Sequence, residues 1–244
     1  MKILCVADIH GRKEVLDSAI RRFETGGFDL FLQMGDIEDS HDRSDADIKY
    51  CLGRIIEFKK DNSDKVVLLL GNHAGNYLPF GTICSGLRPS MQSYIEQYYI
   101  THLKEFQIAW SFKHHLITHA GVGRLWLKNA QKLLGTAALP DLNAAYEIAD
   151  WLNNLMSTEA ADCLFEVGVE SGGSAAQGGP TWLRPAEAFR HDILPEIHQV
   201  VGHTPQKNIR TIREFRYSGP VTDRSLTLID VLGTDPDGFY ELEI

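Results

Sequence analysis

An α/β fold is what this sequence predicts, and three observations predict it. The first is alternation: from Met1 to about Leu70, short runs that stay apolar residue after residue trade places with amphipathic stretches. A continuously apolar run reads as a strand buried on both faces, and strand–helix–strand repetition implies parallel pairing through right-handed crossovers. The second is that the apolar runs break off into short polar clusters. These are Asp8-Ile9-His10, Gly35-Asp36-Ile37-Glu38-Asp39, Gly71-Asn72-His73, Thr118-His119-Ala120-Gly121 and Gly202-His203-Thr204. The third is a change of texture toward the C-terminus, where short strands and turn signals give the reading of an antiparallel part.

Taken in order, Ile3 to Ala7 is the first strand. Lys13 to Phe23 is a helix that puts Val15, Leu16, Ala19, Ile20 and Phe23 on one face. Phe28 to Met34 is the second strand. A helix from about Asp45 to Lys59 does the same with Ile48, Cys51, Leu52, Ile55 and Ile56, and Val66 to Leu70 is the third strand. From Ala74 to Lys113 the alternation stops. Gly75, Pro79, Gly81, Gly86 and Pro89 mark a loop, and Met91 to Phe106 reads as helix. A segment of this length between two polar clusters is expected to lie over the active face. Leu116 to Thr118 returns to the sheet. A second helical stretch from about Leu125 to Met156 is broken near Gly135 and Pro140. Glu170 to Pro180, rich in Gly and Ser, predicts a mobile loop. The remaining strands are Gln199–Val201, Ile209–Arg213, Leu226–Val231 and Phe239–Ile244, with a turn at Asp235-Pro236-Asp237-Gly238 between the last two. One domain over residues 1–244 is expected, with helical insertions at about 75–113 and 125–165.

The whole-chain numbers bound the function. With 244 residues, 43% hydrophobic and 23% charged, the chain is long enough for a sizeable core and ordinary for a globular protein. A formal net charge of -9 argues against non-specific nucleic-acid binding or adhesion to an acidic membrane. It leaves an anionic substrate open, because bound cations invert the local field. Asp42, Asp45 and Asp47 belong to an acidic stretch that reads as a solvated loop entering a helix. Cys5, Cys51, Cys84 and Cys163 form no C-x-x-C pair and read as structural or incidental thiols. With no charged leader, signal segment or run of membrane-spanning length, a cytoplasmic, reducing location is the expectation.

Strand ends are where polar side chains can be held rigidly and still reach solvent. Five such ends carrying Asp, His and Asn supply imidazole nitrogen, carboxylate and amide oxygen without thiolate, a donor set for hard-to-borderline divalent metals. Asp8 and His10 lie two apart, so in an extended segment both face one way and could grip one cation. Gly35 gives Asp36 room for a tight turn. Asn72 and His73 are adjacent and would point apart on an extended chain. The reading is a two-metal hydrolytic site.

The five motifs, in this order and each after an apolar run, resemble the calcineurin-like metallophosphoesterases, closest to the phosphoprotein-phosphatase branch and its bacterial relatives, which include diadenosine tetraphosphate hydrolases. The resemblance spans nearly the whole chain. It implies a β-sandwich of two mixed sheets flanked by helices, with a helical insertion over the active face. It also implies two divalent metal ions, manganese foremost and iron or zinc also compatible. The first ion would take Asp8, His10 and Asp36, and the second Asp36, Asn72, His119 and His203. Asp36 bridges, because its two oxygens can bind different ions. His73 is implied as the general acid, oriented by Asp39; Arg184 in Gly179-Pro180-Thr181-Trp182-Leu183-Arg184 is implied to hold substrate phosphate, with Asn72 also on the substrate side.

Two departures from that branch stand out. Ser40 occupies the position of an Arg that would grip phosphate oxygens, and Ala74 that of a Glu. Arg12, Arg43 and Arg88 are the candidates to supply the missing guanidinium. Pro205 stands where many phosphodiesterases carry a second His. His41, His102, His114, His115, His191 and His198 match nothing and read as surface or supporting groups.

The functional expectation is hydrolysis of a phosphomonoester, on a phosphoprotein or a small phosphorylated metabolite, by attack of a metal-bridging water without a phosphoenzyme. The alternative is a nucleotide hydrolase acting on dinucleoside polyphosphates or a phosphodiester. A scaffold that kept the fold and lost the chemistry is disfavoured, because all six matched ligand positions hold ligating residue types.

Overall fold

Runs that are apolar on both faces need a cover on each side, and this chain supplies two different covers. The computed structural model describes residues 1–134, 140–215 and 223–244. In the first sheet β1 (Lys2–Val6), β2 (Leu30–Gln33), β3 (Val66–Leu69) and β4 (Phe106–Gln107) run parallel, and β10 (Tyr240–Glu243) lies antiparallel on β1. The second sheet has the order β5 (Ala109–Phe112), β6 (His115–Thr118), β7 (His198–Val201), β9 (Ser225–Leu228), β8 (Arg210–Ile212).

Alternation along each strand sorts the side chains between the covers. Ile3, Cys5, Leu32 and Leu69 meet Ile117 and Val200 of the other sheet in the inter-sheet core. Leu4, Val6, Phe31 and Leu68 face outward against helices α1 (Lys13–Thr25) and α2 (Asp45–Asp61). The buried face of α1 is Val15, Leu16, Ala19, Ile20 and Phe23, as the helical spacing predicts. Ser44 caps α2, its hydroxyl accepting from the Asp47 amide, so the acidic stretch there marks a helix start. On the second sheet α5 (Ala145–Leu155) is tied to β5 through Asn153. Its Oδ1 accepts from the Ile108 and Ala109 amides, and its Nδ2 donates to the Ala109 carbonyl. The expected sandwich of two mixed sheets flanked by helices is the observed one.

Several expectations are corrected in detail. Helix α3 (Gln92–His102) stops before Phe106, which instead joins the sheet as β4. The segment after Ala74 therefore contributes strands β4 and β5 as well as a helix. The helical stretch after Leu125 is α4 (Arg124–Leu134) and α5; its expected break at Gly135 lies outside the described residues. The C-terminal part is not simply antiparallel, since β7 and β9 pair parallel. The turn at Asp235–Gly238 joins two sheets rather than closing a hairpin, because β9 and β10 belong to different ones.

The Gly/Ser-rich loop of 170–180 is pinned rather than loose. Gln177, 2% exposed, accepts from the Leu125 and Trp126 amides through Oε1 and donates to the Glu187 and Asp192 carbonyls through Nε2. Glu187, at the start of α6 (Pro185–His191), accepts from the Glu170 and Gly178 amides. Buried side-chain amides and carboxylates thus satisfy loop groups that composition suggested would be left to solvent.

Candidate metal centre

Parallel strands bring their C-terminal ends to one rim, and the polar clusters follow those ends. Asp8 and His10 follow β1, Asp36 and Asp39 follow β2, Asn72 and His73 follow β3, His119 follows β6 and His203 follows β7. The backbone turns sharply there: His10, Asp36, Asp39 and His203 have φ of 48°, 53°, 46° and 64°. Left-handed conformations in non-glycine residues cost ~1–3 kcal/mol each. Four of the seven such residues described fall in these clusters, so the strain is concentrated where the functional groups converge. Gly35 and Gly71 are required by close approach: a Cβ on Gly35 would lie 2.5 Å from the Gly71 Cα, and one on Gly71 would lie 2.1 Å from Asp36 Oδ1.

Asp36, 3% exposed, is the centre of the arrangement. Its Oδ2 lies 3.3 Å from His119 Nε2, 3.9 Å from His10 Nε2 and 4.0 Å from His73 Nε2. It belongs to both clusters of potential ligand atoms, His10–Asp36–His73 and Asp36–His119–His203. Asn72 Oδ1 stands 2.9 Å from His119 Nε2 and 2.8 Å from His203 Nδ1. The tautomers follow from the outer partners. His10 Nδ1 lies 2.7 Å from the Asp39 carbonyl, and His119 Nδ1 lies 2.7 Å from the Met34 carbonyl. A carbonyl only accepts, so each Nδ1 carries the hydrogen and each Nε2 points its lone pair inward.

The donor set fits divalent cations. The inward lone pair of His119 faces only acceptors, Asn72 Oδ1 and Asp36 Oδ2, an arrangement that demands a proton or a cation between them. Asp8 Oδ1 and His203 Nε2 are buried with no hydrogen-bond partner. The electrostatics agree. Burial would raise the Asp36 pKa, but the surrounding His119, His73 and His10 hold it well below the usual carboxylate range. Burial would lower His119, but the Asp36 and Asp8 charges push it up to about 9. The buried carboxylates of Asp36 and Asp8 thus set a negative local potential, which suits a cation.

His73 has a different outer partner. Its Nδ1 lies 3.1 Å from Asp39 Oδ2. Burial acts to lower its pKa, and is overridden by the Asp36 charge and the Asp39 hydrogen bond, which push it up to about 12. Asp39 is held from behind: Tyr77 Oη donates to its Oδ1 and Asn76 Nδ2 donates to its Oδ2 at 2.7 Å. Arg184 lines the central cavity of about 330 Å³ together with His73, Asn72 and His203. Its Nε donates to Ser171 Oγ at 2.9 Å, and its Nη1 lies 3.3 Å from the His203 carbonyl and from Thr204 Oγ1.

Two local readings from the sequence are corrected. Asp8 and His10 do not share a face as in an extended strand, because the chain turns at His10; Asp8 instead faces His119, with Oδ1 3.6 Å from its Nδ1, and accepts the His203 amide through Oδ2 at 2.8 Å. Asn72 and His73 do not diverge by strand pleating, since Asn72 has helical φ and ψ of -69° and -28° and His73 opens a 3-10 turn.

Two buried acids and a tyrosine at the site were given no role from the sequence. Asp230 lines the central cavity, and burial together with the Asp8 carboxylate pushes it up to about 8. The available signal was the same as for the other clusters, a polar residue closing the apolar run Leu226–Ile229. Glu38, wholly buried, accepts from Tyr99 Oη at 2.7 Å, and burial followed by the Asp36 and Asp39 charges pushes it up to about 7. Tyr77, at Asp39, had no sequence signal.

The family model for calcineurin-like phosphoesterase matches residues 1–218, and the chain belongs to that family. Among solved structures, it is similar to a cold-active protein-tyrosine phosphatase of a psychrophilic Shewanella species, with TM-score 0.59 and 18% identity over 99% of this chain and 80% of that one. It is also similar to a protein serine/threonine phosphatase from Saccharomyces cerevisiae that is described as resembling human phosphatase PP5, with TM-score 0.50 and 16% identity over 98% of this chain and 70% of that one. No curated protein matches. Membership in the family makes this chain a metal-dependent phosphoester hydrolase.

Proposed function

We propose that the chain is a binuclear metal-dependent phosphoesterase whose substrate is a phosphomonoester, on a phosphoprotein or a small phosphorylated metabolite. The observation that carries this reading is the Asp36 carboxylate, common to two clusters of potential ligand atoms, one with His10 and His73 and one with His119 and His203. Asp8, His10, Asp36, Asn72, His119 and His203 would hold two divalent cations, manganese foremost and iron or zinc also compatible with nitrogen and oxygen donors. When bound, the cations supply Lewis-acid activation of water and neutralise charge on the phosphoryl oxygens.

The chain's own residues do the rest. Asp39 accepts from His73 Nδ1, and the Asp36 and Asp39 carboxylates together hold the ring in its doubly protonated form, so Nε2 carries a proton as well. His73 donates that proton to the leaving oxygen as water attacks from the other side of phosphorus. Arg184, braced by Ser171 and the His203 carbonyl, presents its remaining N–H groups to the phosphate, and Asn72 lines the same cavity. The reading also takes residues 1–244 as one domain and the cytoplasm as its place of work. Among the described residues no helix is long and apolar enough to cross a membrane.

One observation favours a second reading, a nucleotide hydrolase acting on a dinucleoside polyphosphate or a phosphodiester. Two side cavities flank the central one. The first, about 250 Å³, adjoins Ser40, His41 and Asp42, and the second, about 520 Å³, adjoins Ile83, Gly172 and Trp182. Groups on both sides of a phosphorus atom would find room. A panel of p-nitrophenyl phosphate, bis-p-nitrophenyl phosphate, a phosphopeptide and diadenosine tetraphosphate, each with manganese, iron or zinc, separates the readings. Preference for the monoesters supports the first reading, preference for the diester or dinucleotide the second, and inactivity on all four with metal bound defeats both.

A further inference from the structure

We propose that Arg12 binds the phosphoryl group of the substrate, supplying from the β1 loop the guanidinium that position 40 lacks. The inference rests on the phosphoesterase reading above and names a residue for it. Ser40 cannot grip phosphate as an arginine would; its hydroxyl is turned to Asp42 Oδ1 at 2.8 Å. Three arginines lie near enough in the chain to be candidates, and their surroundings separate them. Arg43 is committed to two acids, with Nη1 2.9 Å from Glu14 Oε1 on α1 and Nε 3.8 Å from Asp42 Oδ1. Arg88 is committed to Asp45, with Nη1 2.6 Å from Oδ1. Neither lines the central cavity or the two beside it.

Arg12 lines the central cavity with His73 and Arg184, and also the side cavity with Ser40. Its Nε donates to the Ile9 carbonyl at 2.9 Å and its Nη2 to the Asp8 carbonyl at 2.6 Å. Those bonds fix the plane of the guanidinium to the loop that carries Asp8 and His10. A guanidinium has five N–H donors, so both hydrogens of Nη1 and one of Nη2 stay unspent. No carboxylate pairs with it among the described residues, although Asp230 lines the same cavity.

An anchored guanidinium with free donors, facing a cavity that already holds a second guanidinium, suits a tetrahedral dianion. Arg184 guards the junction with the cavity at Ile83 and Gly172, and Arg12 guards the junction with the cavity at Ser40. They approach the phosphoryl oxygens from different flanks. Because Arg12 is already immobilised, little side-chain freedom is lost when phosphate arrives.

The rival role is a brace that merely holds the Asp8–Ile9 loop. The test therefore compares metal content, kcat, KM and competitive inhibition by inorganic phosphate in the wild type, Arg12→Ala and Arg12→Lys, all saturated with manganese. The substrate is the one the wild type hydrolyses best in the panel above. Loss of one charge-assisted contact raises KM and the phosphate inhibition constant by roughly 10- to 100-fold in Arg12→Ala, with metal content kept. Arg12→Lys, which keeps the charge and loses the fork, falls between. Arg43→Ala and Arg88→Ala leave both constants unchanged. An unchanged phosphate inhibition constant in Arg12→Ala, or weakening fully accounted for by lost metal, overturns the assignment. A wild type inactive on every substrate defeats the phosphoesterase reading instead, and is told apart by that.

Discussion

Strands β6 and β7 carry a histidine at each end, and the two ends behave differently. At one end His119 and His203 follow the strands, with ring centroids 5.1 Å apart; at the other His115 and His198 open them, paired in register, with centroids 5.2 Å apart. Residue type and spacing are nearly the same. The surroundings are not. The first pair meets the buried carboxylate of Asp36 and the Asn72 amide oxygen, and the Met34 carbonyl sets the His119 tautomer. The second pair meets Ser225 Oγ, 3.0 Å from His198 Nδ1, and the exposed carboxylate of Asp223, 3.8 Å from its Nε2. Accordingly His119 is pushed up to about 9 by its acids despite burial, whereas burial and the neighbouring His198 push His115 down to about 4. Two histidines side by side are not enough for a metal site; what sets the candidate centre apart is a buried carboxylate shared between its rings and a lone pair fixed by an outer partner.

That contrast can be broken most decisively at Asp36. Asp36→Asn should lower kcat/KM by roughly 10³-fold or more, the scale of removing a preorganised charge from an active site, whereas His198→Asn at the far end should leave it unchanged. Steady-state kinetics on both variants decides, and comparable losses would erase the distinction. His73→Asn comes next, with turnover reduced ~10²–10⁴-fold, the usual share of acid–base assistance, while metal analysis gives the wild-type content. Normal turnover would remove His73 from its role.

A smaller effect is expected behind Asp39. Tyr77→Phe deletes one donor to a buried carboxylate, which costs ~1.5–3 kcal/mol; urea unfolding should register it, and the alkaline limb of the pH–rate profile should move to higher pH, because Asp39 relieved of one donor keeps more negative charge for the His73 proton. Destabilisation with an unmoved profile would make Tyr77 a packing residue only.

The smallest effect belongs to the far pair. The pKa of His115 is depressed in the folded state, so the unfolded chain takes up the proton first as pH falls. Its neutral form therefore contributes stability that is fully present above the ordinary histidine value near 6.5 and is lost as pH falls through about 4. His115→Asn should flatten the fall of Tm across that window by a few degrees, ~1 kcal/mol after allowing for its partial exposure to solvent. An identical Tm–pH curve would show that the pair carries no such linkage.

Much of the fold was legible because it rests on local patterns: the face of α1 and the strands β1 to β3 follow from apolar spacing. The site's residue types were legible because each closes an apolar run. What escaped is what depends on tertiary contact. The length of α3 was misread since Phe106 is equally apolar in a helix or in β4. The 170–180 segment looked loose because its anchors, Gln177 and Glu187, act only once buried. Tyr77 and Asn76 carry no motif, and only their approach to Asp39 reveals them. The choice among Arg12, Arg43 and Arg88 turned on their partners, Glu14, Asp45 and two carbonyls, which no spacing announces.

The most direct measurement is the number of cations the folded protein holds. Equilibrium dialysis against manganese with elemental analysis should give two ions per chain at saturation, and clearly fewer for Asp36→Asn at the same free metal. A wild type that saturates at one ion, or an Asp36→Asn variant that still holds two with unchanged affinity, would contradict a centre built on a shared carboxylate.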